Sequence, residues 1–406
     1  MRTLWFERFG SCCDPGRAMS DPSRRPRLLY VVTEDWYFMS HRLALARAAR
    51  DAGYDVAVAA RFDGHRAAIE KEGFAAIPLT RLRRTGRAPH GELAAIFELV
   101  SIYRRYSPDL VHHIAIKPVL YGSIAAAVTG VSAITNNLNG LGFVFSSSSW
   151  KARLVRPLVL AWLRWALRRR GTFTLVQNRD DKAALVDGAG VPESRIGLVR
   201  GSGVDPAAYL GPRVETDPPL VLLASRMIWN KGIEDFVDAG RALRSRGVDA
   251  KFALVGAPDP GNPLSVPENA LRDFAKNDGV EWWGHRSNIA EILRSTAVVC
   301  LPSTYGEGIP KILIEAAAAG CPIVTYDVPG CREICIDGVN GLLVPKGDRA
   351  AFSAAVERLL VSPDDRRRLG EAGRRIVQDE FSESQVLATT LDIYLTLAPL
   401  PRHSTT

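Results

Sequence analysis

Residues 305–315 read Tyr-Gly-Glu-Gly-Ile-Pro-Lys-Ile-Leu-Ile-Glu, followed by small residues up to Gly320 and by the apolar stretch Cys321-Pro322-Ile323-Val324-Thr325. Pro310 suits the first position of a helix, because its missing N–H has no intrahelical partner there and its φ is already helical. Glu307 is then expected in a loop and Glu315 on the helix. The N–H groups and dipole of a helix start attract anions such as phosphate, and Gly306 and Gly308 let a ligand approach the backbone closely. Two carboxylates beside a phosphate site suit sugar hydroxyls. A second set lies upstream, where an apolar run at 220–224 ends in Ser225-Arg226 and Lys231-Gly232 opens a helical pattern at 233–244. A planar guanidinium fork and a compact ammonium together can neutralise a diphosphate as it leaves.

These groups need elements to hold them. Residues 28–33, 55–60, 75–79, 109–112 and 132–135 carry strand signals, with helical patterns between them such as 42–51, 93–106 and 122–128. Residues 34–42, between the first strand and the first of those helices, read as a loop. The pattern restarts after the polar, proline-containing segment 211–219, with strands expected at 220–224, 250–255, 280–283, 298–302, 322–326 and 341–344. Alternating strands and helices imply parallel pairing through right-handed crossovers, and ligands of such sheets bind outside the strand carboxyl ends. The expected organisation is a disordered tail over 1–26, two α/β domains over 27–208 and 213–383, and a last helix over 384–398.

Glycine, Glu307, seven residues, Glu315 and a small-residue run, together with Arg226 and Lys231-Gly232, resemble the signature of the retaining family-four glycosyltransferases. The resemblance spans nearly all of residues 27–397. It implies the GT-B fold, two facing Rossmann-like domains with a C-terminal helix crossing back to the first. It also implies transfer of a sugar from a nucleotide-sugar without inversion, here expected to be a UDP-hexosamine or UDP-hexose. By this resemblance Arg226 and Lys231 bind the donor diphosphate, Glu315 binds ribose and Glu307 contacts the moving sugar. Gly256, Gly284, Arg286, Gly306, Gly308 and Ile309 line the nucleotide or sugar. Family members carry a His-x-His segment at the strand end where this chain has His112-His113; adjacent strand residues point to opposite faces, and His113 is preferred for the site. The local text 226–232 is most similar to bacterial hexosaminyltransferases acting on undecaprenyl-diphosphate-linked sugars. Two alternatives stand beside this one, a GT-B-fold UDP-sugar 2-epimerase and a non-catalytic membrane adaptor.

No Asp-x-Asp occurs in the 406 residues, so protein cations are expected to take the place of a metal, and no cofactor is expected. The loops 34–42 and 136–145 supply His41, Arg42 and Asn139 as acceptor contacts, with Lys117 after the histidine pair. On a helical wheel of 150–170, Leu154, Val155, Leu158, Val159, Trp162, Trp165 and Ala166 gather opposite Arg153, Arg156, Arg164 and Arg168. Such a helix suits an anionic membrane surface, with Trp150, Trp162, Trp165, Arg168 and Arg169 as contacts. A net charge of +8 favours anionic partners, and no nucleic-acid module is recognisable. The longest apolar stretch, 120–134, is broken by polar residues and falls short of the ~20 needed to span a bilayer. Six cysteines lack metal or disulfide spacing. A cytoplasmic protein attached to the inner face of a membrane is expected, with Met19 an alternative start to Met1.

Overall fold

The computed structural model of the chain describes residues 24–84, 89–141 and 150–401. Most of the expected tail therefore lies outside the described residues. Two compact units divide the chain, residues up to Val199 together with those from Leu387 onward, and Arg200–Val386. The change of unit falls at Val199, ahead of the expected 208. Arg213, the first residue of the expected second domain, is bound into the second unit through the carbonyl oxygens of Thr296 and Gly320.

The first unit holds seven parallel strands, β1 (Arg27–Glu34), β2 (Asp55–Arg61), β3 (Ala75–Pro78), β4 (Leu110–Ile114), β5 (Ala133–Leu138), β6 (Thr172–Val176) and β7 (Ile196–Leu198). Their order is β3-β2-β1-β4-β5-β6-β7. Helices cover both faces, so each interior strand reads as a continuous buried run and not as an alternation. From β1, Leu29 and Val31 pack with Leu99, Val119 and Leu163, whereas Leu28, Tyr30 and Val32 pack with Phe38, Leu45 and Tyr394. Tyr394 lies on the C-terminal helix Glu383–Leu397. Its hydroxyl donates to that of Tyr30 at 3.1 Å and meets His112 Nδ1, which fixes this helix to the first unit.

The second unit holds six parallel strands, β8 (Leu220–Ala224), β9 (Lys251–Val255), β10 (Val280–Trp282), β11 (Thr296–Leu301), β12 (Ile323–Tyr326) and β13 (Gly341–Val344), in the order β10-β9-β8-β11-β12-β13. Strand order reverses between β1 and β4 in one sheet and between β8 and β11 in the other. In doubly wound sheets that reversal is where ligands bind.

Three local expectations differ from the structure. Strands β6 and β7 are additions, short segments placed by their neighbours. Residues 35–41 are a helix and not a loop. Asp35 opens it, and its buried carboxylate accepts from the backbone N–H of Trp36, Asp63 and His65 at 2.7–2.9 Å, a long-range set of bonds that no local pattern reveals. The helix Trp150–Leu167, which contains Pro157, divides its apolar residues otherwise than the wheel suggests. Leu163, Ala166 and Leu167 are buried, and Trp162 leans on the Tyr121 ring at 5.8 Å. Leu154, Leu158 and Trp165 point outward, 69%, 72% and 44% exposed. Trp165 lines an open depression with Ala161, Arg164, Arg168 and Arg169. The side chain of Trp150 lies outside the described residues.

Tyr394→Ala removes a fully buried ring and is expected to destabilise the first unit by about 3–5 kcal/mol in denaturant unfolding. Tyr394→Phe, which leaves His112 Nδ1 without its partner, is expected to cost about 1–3 kcal/mol. A loss below ~1 kcal/mol for the alanine variant would contradict this packing.

Candidate active site

In the second unit β8 runs into Arg226 and then into a single turn, Trp229–Lys231. Backbone bonds anchor this turn: Met227 N–H donates to the Ala257 carbonyl and Trp229 N–H to that of Leu264, both at 2.9 Å, and Thr304 N–H donates to the Asn230 carbonyl at 2.9 Å. Gly232 closes the turn at φ +76, and a Cβ there would stand 2.0 Å from the Pro302 carbonyl oxygen. Only glycine fits a left-handed position in such contact with the end of β11.

That end carries Ser303, Tyr305 and Glu307. Lys231 Nζ donates to Glu307 Oε2, Ser303 Oγ donates to Glu307 Oε1 at 3.0 Å, and the ammonium lies 5.4 Å from the Tyr305 ring centroid. Lys231 is 7% exposed. Burial alone would lower its pKa, but Glu307 and Tyr305 outweigh that and hold it above the ordinary lysine value. Arg226, half-buried, pairs with Asp259. Two cations and two carboxylates thus stand at the carboxyl ends of β8, β9 and β11. Gly330 closes the far side at φ +87, where a Cβ would stand 2.4 Å from the Glu307 carbonyl oxygen.

Pro310 is the cap preceding the helix Lys311–Ala319 and not its first residue, with ψ at 121. Glu307 is in the loop and Glu315 on the helix. Glu315 accepts from the Tyr209 hydroxyl at 2.9 Å and lies 3.7 Å from Lys311 Nζ, so its partners differ from those of Glu307. Gly256 N–H donates to the Gly284 carbonyl at 2.8 Å, which joins the exits of β9 and β10. Arg286 is exposed beyond them, Gly306 packs on Pro329, and Gly308 and Ile309 are buried.

In the first unit the histidine pair splits across the sheet. His113 is fully buried, with Nε2 2.7 Å from the Tyr103 hydroxyl and Nδ1 2.8 Å from Asn136 Oδ1. It packs so closely on Gly122 that a Cβ there would meet Nε2 at 2.3 Å. Both ring nitrogens of His113, the histidine preferred for the site, are thus engaged beneath the helices. His112 faces the other way, toward Tyr394, and its Nε2 is buried without a hydrogen-bond partner. Arg42 and Asn139 meet at 3.2 Å, and the His41 ring stacks on Tyr37. Lys117 is elsewhere, paired with Glu92 at 2.8 Å, just after Ala115, a non-glycine residue at φ +78. Residues 142–145 of the second expected loop lie outside the described residues.

Sequence reasoning passed over Ser303, Tyr305, Asp259, Gly330 and Tyr209. Tyr305 opens the quoted motif and Ser303 stands two residues before it, so both were findable from that text. Asp259 and Tyr209 lie 33 and 106 residues from their partners, where local text gives no signal.

A family model described as "Glycosyl transferase 4-like" matches residues 27–178, and one described as "Glycosyl transferases group 1" matches residues 218–362. The chain is 25% identical over 380 residues to the N,N'-diacetylbacillosaminyl-diphospho-undecaprenol alpha-1,3-N-acetylgalactosaminyltransferase of Campylobacter jejuni, covering 88% of this chain and 97% of that one. It is 27% identical over 341 residues to the 2-deoxystreptamine glucosyltransferase of Streptomyces kanamyceticus, covering 79% and 86%. Among solved structures, a glycosyltransferase of Rickettsia africae superposes with a TM-score of 0.72 at 17% identity, covering 92% of this chain and 99% of that one. The Anabaena protein HepE in complex with UDP and glucose gives 0.70 at 17% identity, covering 90% and 98%. These structural likenesses establish the GT-B fold.

Burial pushes the His113 imidazole down to about 4 from 6.5, with the Asn136 bond offsetting only part of it. The unfolded chain therefore takes up a proton near 6.5 that the folded chain refuses until about 4. Stability is expected to fall as pH drops through that window, by about 3 kcal/mol from this group. The slope of unfolding free energy against pH is expected to flatten in His113→Asn; an unchanged slope would contradict the assignment.

Proposed function

Because the chain belongs to the glycosyltransferases of the group 1 and family-four-like type, we propose that it is a retaining enzyme moving a sugar from a UDP-sugar to a lipid-linked saccharide. The observation that carries this reading is the buried Lys231, paired with Glu307 where β8 and β11 diverge. A desolvated ammonium held at a strand end, with Arg226 beside it, is preorganised for negative charge that grows on a departing diphosphate. In this reading the donor diphosphate replaces Glu307 on Lys231 and Asp259 on Arg226. Glu307, released, accepts hydrogen bonds from the transferred sugar, while Glu315, oriented by Tyr209, accepts from ribose. Gly256, Gly284, Arg286, Gly306, Gly308 and Ile309 line the base and sugar. The two cations supply the neutralisation that a metal would otherwise give.

Retention then follows from attack on the face the diphosphate leaves. The acceptor oxygen bonds to the anomeric carbon, the carbon–phosphate oxygen bond breaks, and the acceptor proton passes to the leaving phosphate oxygen. The protein contributes orientation and charge. Of the histidine pair, His112, whose Nε2 is buried without a partner, is assigned to this edge of the first unit, with His41, Arg42, Lys117 and Asn139 on the acceptor side. The lipid-linked acceptor is supported by the Campylobacter relative, whose name places its acceptor on undecaprenol diphosphate.

The outward residues Leu154, Leu158 and Trp165, the last set among Arg164, Arg168 and Arg169, support docking on an anionic membrane, on the cytoplasmic side where nucleotide-sugars are held. No helix among the described residues is long and apolar enough to cross a membrane. Assembly of a surface polysaccharide, such as lipopolysaccharide, is the process such an activity serves.

With a UDP-hexosamine and an undecaprenyl-diphosphate disaccharide, product carrying the donor's anomeric configuration is expected. Lys231→Met and Glu307→Gln should each lower kcat/KM by about 10²–10³-fold. An inverted product, or a donor epimer formed without acceptor, would contradict the proposal. Leu158→Glu with Trp165→Glu is expected to release the protein from anionic liposomes with its fold intact; undiminished binding would remove the membrane role of that helix.

A further inference from the structure

A buried charge in the first unit, that of Arg42, has no counter-charge among the described residues. Arg42 is 2% exposed. Its guanidinium donates to the His41 carbonyl at 3.0 Å and to Asn139 Oδ1 at 3.2 Å, and Nε has no partner. No carboxylate pairs with it among the described residues. Arginine is rarely this buried unless paired, because an uncompensated charge away from water costs stability.

The surroundings are built around that charge. Asn139 Oδ1 also accepts from Gln177 Nε2 at 2.8 Å, while its Nδ2 donates to the Tyr37 hydroxyl at 2.6 Å, so the amide oxygen is locked toward Arg42. Tyr37 stacks flat on His41 at 4.2 Å between centroids. Tyr37, His41 and Asn139 are half-buried, which puts the guanidinium just beneath a polar surface that solvent reaches. Arg42 follows β1 and its short helix, Asn139 follows β5 and Gln177 follows β6. All three exits are at the carboxyl edge of the sheet, β5 beside β6 and only β4 between β5 and β1, so Arg42 stands at the β1/β4 reversal where ligands are received. A second buried nitrogen without a partner, His112 Nε2, lies on β4 between them.

We propose that Arg42, oriented by Asn139 and Gln177, is an anion subsite that binds a phosphate oxyanion of the acceptor's diphosphate, an assignment that rests on the lipid-linked acceptor proposed above. The 3.2 Å bond to Asn139 is the longest of the side-chain bonds in this network and is the one an oxyanion replaces. A guanidinium suits the task because its fork matches two phosphate oxygens at once.

The test titrates inorganic pyrophosphate into the full-length protein by calorimetry. In the Arg226→Met, Lys231→Met double variant, which lacks the donor-side cations, binding is expected to persist. Adding Arg42→Gln to it is expected to weaken binding at least about tenfold. Equal binding by the double and triple variants would overturn the subsite. Arg42→Gln alone is expected to raise Tm by about 2–4 °C, since it removes an unpaired buried charge; a marked fall would make Arg42 a structural residue and overturn the proposal. Should the glutamine variant not fold, Arg42→Lys keeps the charge but loses the fork, and pyrophosphate binding unchanged by it is again contrary. In transfer assays Arg42→Gln should raise KM for the lipid acceptor about tenfold and leave KM for the UDP-sugar unchanged; the reverse would assign the anion to the donor and overturn the acceptor role. If the wild-type protein transfers no sugar, the function proposed above fails, while the pyrophosphate titration still decides the subsite.

Discussion

A charged ammonium held almost out of water is the constraint around which the second unit is arranged. Lys231 is tolerable there only because Glu307 balances it, and Glu307 is in turn held by Ser303. Meeting that condition requires two chain segments 76 residues apart to leave neighbouring parallel strands at one edge. The reversal of strand order between β8 and β11 opens the gap, Gly232 lets the lysine turn pass against Pro302, and Gly330 lets the following loop pass against Glu307. The ion pair is therefore as much a description of the fold as of the site. Its chemical meaning follows from the same fact, because a cation already stripped of water stabilises a new anion without reorganising.

Much of this was legible from the chain. The strands of the second unit stood out because both of their faces are buried, which leaves unbroken apolar runs such as 220–224, and turn residues punctuate them. The four polar residues Arg226, Lys231, Glu307 and Glu315 were visible because each follows a strand end or sits in a short motif. Their pairing was not visible. Which carboxylate holds which cation depends on the crossover between β8 and β11, and Asp259 and Tyr209 enter only through contacts that close in three dimensions.

The first unit shows the complementary case. Two adjacent histidines on a strand with both faces covered cannot share an environment, and the alternation of a strand says so at once. What it cannot say is which face holds a functional ring. His113 proved to be the one locked beneath the helices by Tyr103 and Asn136, while His112 meets a tyrosine 282 residues away on the C-terminal helix. The amphipathic helix Trp150–Leu167 repeats the lesson. Its composition suggested two faces, yet the core takes Leu163, Ala166 and Leu167, leaving Leu154, Leu158 and Trp165 to solvent. Periodicity finds such a helix, but only its neighbours decide the rotation about its axis.

The central claim is that Lys231 is kept buried and charged to receive a nucleotide diphosphate. Calorimetric titration of UDP into the wild-type protein and into Lys231→Met tests it most directly. The account predicts measurable binding by the wild type, weakened at least about tenfold in the variant. Equal affinity in the two, or no binding by a folded wild-type protein at millimolar UDP, would contradict it.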